Sequence, residues 1–312
     1  MAGGWHDGLW YGDPDVVPPV VPVAGVAAVD EEANVAATQR SQALTVAPTG
    51  TPARRFARRL GPADLTARSE RDLGRAAADG SPPPVLVLDD VSKTFANGRS
   101  ALRDVDLAVP EGDFVFLVGP SGAGKSTLLR LIVRDELATA GRVLLDGEDV
   151  ARIDRRRVPL IRRKLGVVFQ DYKLLPSMSV RENVAFALEV TGTPRRRIRP
   201  AVDRVLAIVG LSDIDDSPPS QLSGGEQQRT AIARALVHDP RLIIADEPTG
   251  NLDPLISWEI IQLLLRINEL GVTVLVATHQ AEVVTALRRR VVALESGRIV
   301  RDELAAAYHR ET

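Results

Sequence analysis

Two short stretches combine the residue types that phosphate chemistry needs. The first is GPSGAGKST, residues 119–127, which fits the spacing Gly-x4-Gly-Lys-Ser. With 24 glycines and four lysines among 312 residues, Gly-x4-Gly-Lys arises by chance about 0.02 times in such a chain. Gly119, Gly122 and Gly124 let the backbone curl until successive N–H groups face the β- and γ-phosphates of a nucleotide. A helix opening near Lys125 adds the positive end of its dipole. Lys125 brings a point charge to the phosphate oxygens, and Ser126 offers a hydroxyl to Mg2+. The second stretch is RLIIADEP, residues 241–248, an apolar run that ends in adjacent carboxylates. It reads as a buried strand delivering charge into a cleft. Asp246 suits the Mg2+ shell. Glu247 suits the general base that polarises an attacking water, an effect worth roughly 10²–10⁴-fold.

A third stretch, QLSGGEQQRTAIARAL (221–236), opens a helix at a Ser-Gly-Gly turn. Ser223 with Glu226 three residues on is a capping box. A helix start is also an anion site, so capping and ligand binding are compatible readings.

The elements that must carry these residues follow from hydrophobic period. Strands are expected over 85–95, 102–109, 114–119, 141–147, 241–245, 272–277 and 291–295, with another beginning at Gly166 and ending on Phe169. Helices are expected over 125–133, near 155–164, and over 179–191, 195–209, 225–237, 254–270 and 280–287. This alternation predicts an α/β domain over 85–312, a mostly parallel sheet covered by helices, with a helical lobe at about 171–225.

Residues 1–84 differ in kind. They hold 10 of the 21 prolines and no lysine, and no helical or strand period persists. A disordered extension is expected there, with a short basic helix conceivable within 54–79 and a start near Val85 as an alternative. The net charge of −2 gives no bulk argument for nucleic acid or anionic lipid. The absence of cysteine excludes disulfides and thiolate chemistry. No apolar run is long enough to span a bilayer, since VVPPVVPVAGVAAV (16–29) is broken by Pro18, Pro19 and Pro22.

From about Val85 onward the chain resembles the ATP-binding-cassette (ABC) ATPases, a branch of the P-loop NTPases. LSGGEQ matches that family's signature motif, beside the phosphate loop and LIIADEP. The resemblance implies an antiparallel β subdomain and a helical subdomain beside the parallel core. It places ATP on Phe95, by ring stacking, and on Gly119, Pro120, Ser121, Gly122, Ala123, Gly124, Lys125, Ser126 and Thr127. It places Ser223, Gly224, Gly225 and Asp253 of a second copy against the same nucleotide, so that a homodimer makes two composite sites. Gln170 falls at the Q-loop position, near Mg2+ and the attacking water, and His279 at the switch position. Phe95 replaces the commoner tyrosine, and Gln280 stands where an acid is usual.

VPLIRRKLGVVFQDYKLLPSMSVRENVAFALEVTG (158–192), LIVRDELATAGRV (131–143) and IVRDELAAAYHRE (299–311) are similar to the FtsE group of cell-division ATPases. That group works with the four-span membrane protein FtsX and, through it, with peptidoglycan hydrolases at the septum. A lipoprotein or drug exporter ATPase shares LSGGEQQR and ADEPTGNLD. A soluble DNA-repair or ribosome protein of the family would show a second cassette or a long coiled coil, and a non-catalytic scaffold would lack Lys125, Glu247 or His279. Tyr172, Leu174 and Leu175, with Lys173 at the rim, are the expected socket for a membrane partner, packing inside the lobe being the alternative.

Overall fold

A computed structural model of the chain describes residues 84–304, together with the backbone of a small antiparallel hairpin, β1 (Gly4–His6) and β2 (Leu9–Tyr11). The disorder expected over the rest of 1–84, the helix conceivable at 54–79, and the tail from residue 305 lie outside the described residues.

Two sheets form the body. The larger has six strands: β8 (Leu165–Val168), β9 (Leu242–Asp246), β10 (Thr273–Ala277), β5 (Phe114–Val118), β11 (Arg290–Glu295) and β12 (Arg298–Glu303), in the spatial order 8-9-10-5-11-12. All pairings are parallel except β11 with β12. The second sheet is antiparallel, with β4 (Ser100–Pro110), β3 (Pro84–Thr94), β6 (Ala140–Leu145) and β7 (Glu148–Asp149) in the order 4-3-6-7. The interior parallel strands are mostly apolar because both faces are covered, one by helices and the other by the antiparallel sheet with the helix after the phosphate loop. Along β5, Phe114, Phe116 and Val118 face one core. Val115 and Leu117 face the other, shared with the antiparallel sheet. The period of two in a strand thus joins two cores through one segment.

The helices are α1 (Lys125–Ile132), α2 (Val158–Arg162), α3 (Val180–Glu189), α4 (Arg195–Val209), α5 (Gly224–Leu236), α6 (Pro254–Glu269) and α7 (Ala281–Leu287). The helix expected near 155–164 shrinks to α2. Arg157 is its N-terminal neighbour without a side-chain cap, and no acid stands in its first turn. α3, α4 and α5 pack on one another as the helical lobe, with Val184, Val202, Val205 and Ile232 in the shared core. Arg181 of α3 ties this lobe by pairing with Asp203 of α4 and with Asp215. Among the described residues no helix is long and apolar enough to cross a membrane.

One expectation fails locally. Phe169 does not end β8 in the core. The strand stops at Val168, and Phe169 is 41% exposed. The chain turns there, since the Tyr172 N–H donates back to the Phe169 carbonyl. Phe169 therefore leaves the sheet before its side chain would be enclosed.

Candidate functional site

The topology brings the chemistry together. Four adjacent parallel strands, β8, β9, β10 and β5, release their chains at the same edge. Gln170 follows β8, Glu247 follows β9, His279 follows β10, and the loop from Gly119 follows β5. Ligands of open α/β sheets bind at this carboxyl edge. A cleft of about 640 Å³ opens there, lined by the whole run Gly119–Thr127 with Phe95, Gln170, Glu247 and His279.

The loop's shape depends on glycine at two positions. Gly119 has φ 149°, and a Cβ there would stand 2.1 Å from the Leu294 carbonyl oxygen. Gly124 has φ 113°, and its Cβ would meet the Ala101 carbonyl oxygen at 2.6 Å. Gly124 is also the N-terminal neighbour of α1, which has no side-chain cap. The first N–H groups of α1 are therefore not claimed by a capping side chain. Lys125 is buried and folds back over the loop, donating to the Gly119 carbonyl at 2.7 Å and the Pro120 carbonyl at 3.4 Å. Its ammonium also lies 3.9 Å from a Glu247 carboxylate oxygen.

Glu247 sits at φ 48°, in the left-handed region that side-chain-bearing residues rarely occupy. Its N–H is tied to the Ala277 carbonyl at the end of β10. The other carboxylate oxygen lies 2.9 Å from His279 Nδ1. Glu247 therefore bridges Lys125 of the phosphate loop and His279 at the cleft. Gln170 is held from the side: its amide donates to Asn251 Oδ1 at 3.4 Å, and Asn251 Nδ2 donates to the Gln170 carbonyl at 3.1 Å. Gln280, in place of the usual acid, accepts from the Thr249 hydroxyl at 2.9 Å.

The residues fit a Mg2+ ion in a specific sense. Asp246 hydrogen-bonds the Ser126 side chain, which joins two hard oxygen donors beside the phosphate loop. Burial pushes the Asp246 carboxyl above its usual range, opposed by the Ser126 bond and the Lys125 charge. A cation there would reverse that burial effect. Among the described residues no three His, Asp or Glu cluster into a metal cage. Mg2+ suits such a place, because it takes one or two protein oxygens and completes its shell with phosphate and water.

Other expected residues stand elsewhere. Ser223, Gly224, Gly225 and Asp253 do not line the cleft of their own chain. Ser223 caps α5: its hydroxyl accepts from the Glu226 N–H at 3.3 Å and donates to the Glu226 carboxylate at 2.7 Å. Asp253 caps α6 by accepting from the Leu255 and Ile256 N–H groups. Gly225 lets the two helices meet, since a Cβ there would stand 2.7 Å from Ile256 Cγ2.

The residues expected to form a partner socket do not stand together. A second groove of about 500 Å³ lies between α2, α3 and α5, with Leu175, Phe186, Ala187 and Val190 on it and Arg163 and His238 beside them. Tyr172 and Leu174 do not line it. Tyr172 turns instead toward the Ser223 turn, its hydroxyl 3.3 Å from where a Cβ on Gly224 would be. Lys173 pairs with Asp171 at the surface. Sequence reasoning also passed over Arg99 and Arg130, which line the cleft, and Asn251, which lies inside the quoted ADEPTGNLD.

Comparison with known proteins agrees with this geometry. Residues 102–250 match the family model described as ABC transporter. The cell division ATP-binding protein FtsE of Streptococcus pneumoniae is 52% identical over 224 residues, covering 72% of this chain and 97% of that protein. FtsE of Bacillus subtilis is 49% identical, covering 72% of this chain and 98% of that protein. Among solved structures, the dimeric post-hydrolysis state of the ATP-binding cassette MJ0796, bound to ADP and Pi, superposes with a TM-score of 0.63 at 37% identity, covering 72% of this chain and 100% of that one. The chain belongs to the ABC-transporter ATPase family, in its FtsE group, and is an ATP hydrolase.

Proposed function

We propose that this chain is the ATPase of an FtsEX-like complex in cell division, working on the cytoplasmic face of the cell membrane at the septum. The observation that carries this reading is the identity of about half the residues across nearly the whole length of two proteins named for that role. The ATPase domain spans residues 85–312, with residues 1–84 an extension to it.

The site residues take the following parts. Phe95 stacks on adenine, and Gly119–Thr127 cradle the phosphates with Lys125 as counter-charge. Ser126, Asp246 and Gln170 would hold Mg2+, which would neutralise charge developing on the transferred phosphoryl group. Glu247 takes a proton from the attacking water, and His279, 2.9 Å from that carboxylate, holds it in place. Ser223, Gly224, Gly225 and Asp253, unused by their own cleft, meet the nucleotide of a second copy. The dimeric MJ0796 structure supports that arrangement. Closure around ATP and release after hydrolysis then form a two-state switch. Its outlet is the groove with Leu175, Phe186 and Val190, where an FtsX-like membrane protein docks and relays the state to a peptidoglycan hydrolase. Val190, 63% exposed, is the kind of apolar side chain that a docked segment would cover.

One experiment tests both halves. Tagged Glu247→Gln is purified from native membranes with MgATP. The expected result is an ATP-bound dimer that brings with it a four-span protein of the FtsX kind. A monomer under saturating MgATP would sink the composite site. A solute permease in place of the four-span protein would sink the cell-division assignment.

A further inference from the structure

Arg234 lies on α5, the helix that the Ser223 turn opens, and its guanidinium reaches across to the loop after Gln170. Nη1 donates to the Lys173 carbonyl at 2.6 Å, and Nη2 donates to the Tyr172 carbonyl at 2.8 Å. Both of those residues are left-handed, with φ 56° at Tyr172 and 52° at Lys173. Two consecutive side-chain-bearing residues in that region are strained. Their N–H groups bond within the turn, to the Phe169 and Asp171 carbonyls, and the fork of an arginine adds a hold on their two carbonyls in a way that a lysine does not. Among the described residues Arg234 forms no ion pair with a carboxylate, so its charge is directed at these two oxygens. Burial works against that charge, which makes the bonds matter more to the side chain's placement.

The gripped turn touches the active site in two directions. On one side it follows shortly after Gln170, which lines the cleft. On the other, the Tyr172 hydroxyl sits 3.3 Å from the Cβ position of Gly224, in the signature turn. Arg234 itself also lines the groove that holds Leu175 and Phe186.

We propose that Arg234 is a positioning residue for ATP hydrolysis. By gripping the Tyr172 and Lys173 carbonyls it fixes the left-handed turn, and so sets where Gln170 stands in the cleft and how the signature turn is seated. Within this chain the adenine and phosphates rest on Phe95 and Gly119–Thr127, while Gln170 and the signature turn complete the site for hydrolysis, so the larger effect falls on kcat and the smaller on KM.

The test uses the full chain, with kcat and KM for MgATP and the thermal midpoint measured for Arg234→Gln, Arg234→Lys and the double variant Arg234→Gln with Lys173→Gly. Arg234→Gln is expected to lose about tenfold in kcat with KM within about twofold. Arg234→Lys should fall between it and the parent. Glycine adopts positive φ without strain, so Lys173→Gly should return a good part of the lost turnover in the double variant. A helix-packing role alone would lower the midpoint and leave kcat below that midpoint unchanged, which overturns the proposal. So does a kcat loss that glycine fails to recover. If Arg234→Gln does not fold, Arg234→Lys decides: full turnover overturns, reduced kcat at constant KM supports. The inference rests on Gln170 acting in hydrolysis, so Gln170→Ala runs in parallel. Full turnover there overturns that reading and the inference with it. Reduced turnover there with full turnover in Arg234→Gln overturns the inference alone.

Discussion

The starts of α1 and α5 are both glycine-rich helix N-termini, yet their free donors meet different fates. At α1 the neighbour is Gly124, with no capping side chain and no acid in the first turn. At α5 the neighbour is Ser223, with a complete capping box and Glu226 in the first turn. The first terminus leaves its donors open toward the cleft, as the proposed phosphate site requires. The second is satisfied within the chain and already bears a negative charge. It can meet a phosphate only if the Ser223 hydroxyl turns away from Glu226. Two glycine-rich helix starts are thus built differently, one with its first donors unclaimed by a side chain beside the cleft and one capped away from it.

Removing the charge at each terminus gives the largest expected difference. Lys125→Ala strips the buried cation from the cradle. Turnover should fall on the order of 10²–10³-fold, with ATP affinity of the dilute single chain at least about tenfold weaker. Ser223→Ala should leave that single-chain affinity within about twofold while abolishing ATP-dependent dimerisation, at a stability cost of roughly 0.5–2 kcal/mol for the lost cap. Calorimetric titration and light scattering read both. If Ser223→Ala weakens binding to the dilute chain as much as Lys125→Ala does, the distinction between the two termini is wrong.

Glycine substitutions sharpen the same contrast at smaller scale. Alanine at Gly124 would need φ 113° and a Cβ 2.6 Å from a backbone oxygen. Neither can relax, so a loss of about 2–4 kcal/mol is expected by denaturant unfolding. Alanine at Gly225 meets the Ile256 Cγ2 methyl at 2.7 Å rather than a backbone oxygen, a contact that a slight shift between the two helices relieves. About 1 kcal/mol is expected there. Equal losses would mean that the α5–α6 contact is as rigid as the phosphate loop.

What could be read in advance follows the reach of each force. The strands and the order of motifs were legible because burial on two faces writes continuous apolar runs such as FVFLV and TVLVA, and the helices because their apolar faces recur at the helical period. The acids proposed for the chemistry stood out in the sequence because Asp246 ends the apolar run of β9 and Glu247 follows it at the cleft. The left-handed turn at Tyr172 and Lys173 was not legible, because Arg234, which holds it, lies 61 residues from Lys173. Asn251 went unassigned for the same reason, since its bond to Gln170 spans 81 residues. Phe169 misled because an aromatic after two valines reads as strand, whereas the turn back from Tyr172 sets where the strand ends.

The smallest expected effects come from the two acids at the ends of α5, which respond to pH in opposite senses. Glu226 at the start is held below its usual value, chiefly by the Ser223 hydroxyl and N–H. Its stabilisation is in place above the unfolded carboxylate's pKa and disappears only as pH falls through the lower folded value. Asp239, just past the C-terminus, is pushed up to about 6 by burial, with the Arg204 charge opposing. The folded state therefore binds its proton more tightly than the unfolded chain does. Its ionised form costs stability above pH 6, and that cost fades as pH falls through 6 toward 3.8. Asn also accepts the φ of 53° at this position. Asp239→Asn should thus raise the thermal midpoint at pH 7.5 and lose most of that gain by pH 4.5. Glu226→Gln should lower the midpoint at pH 7.5 and still lower it at pH 4.5. If the Asp239→Asn gain were flat across that range, burial of the carboxylate would not be what raises its pKa, and the two ends of α5 would not differ in the way their surroundings require.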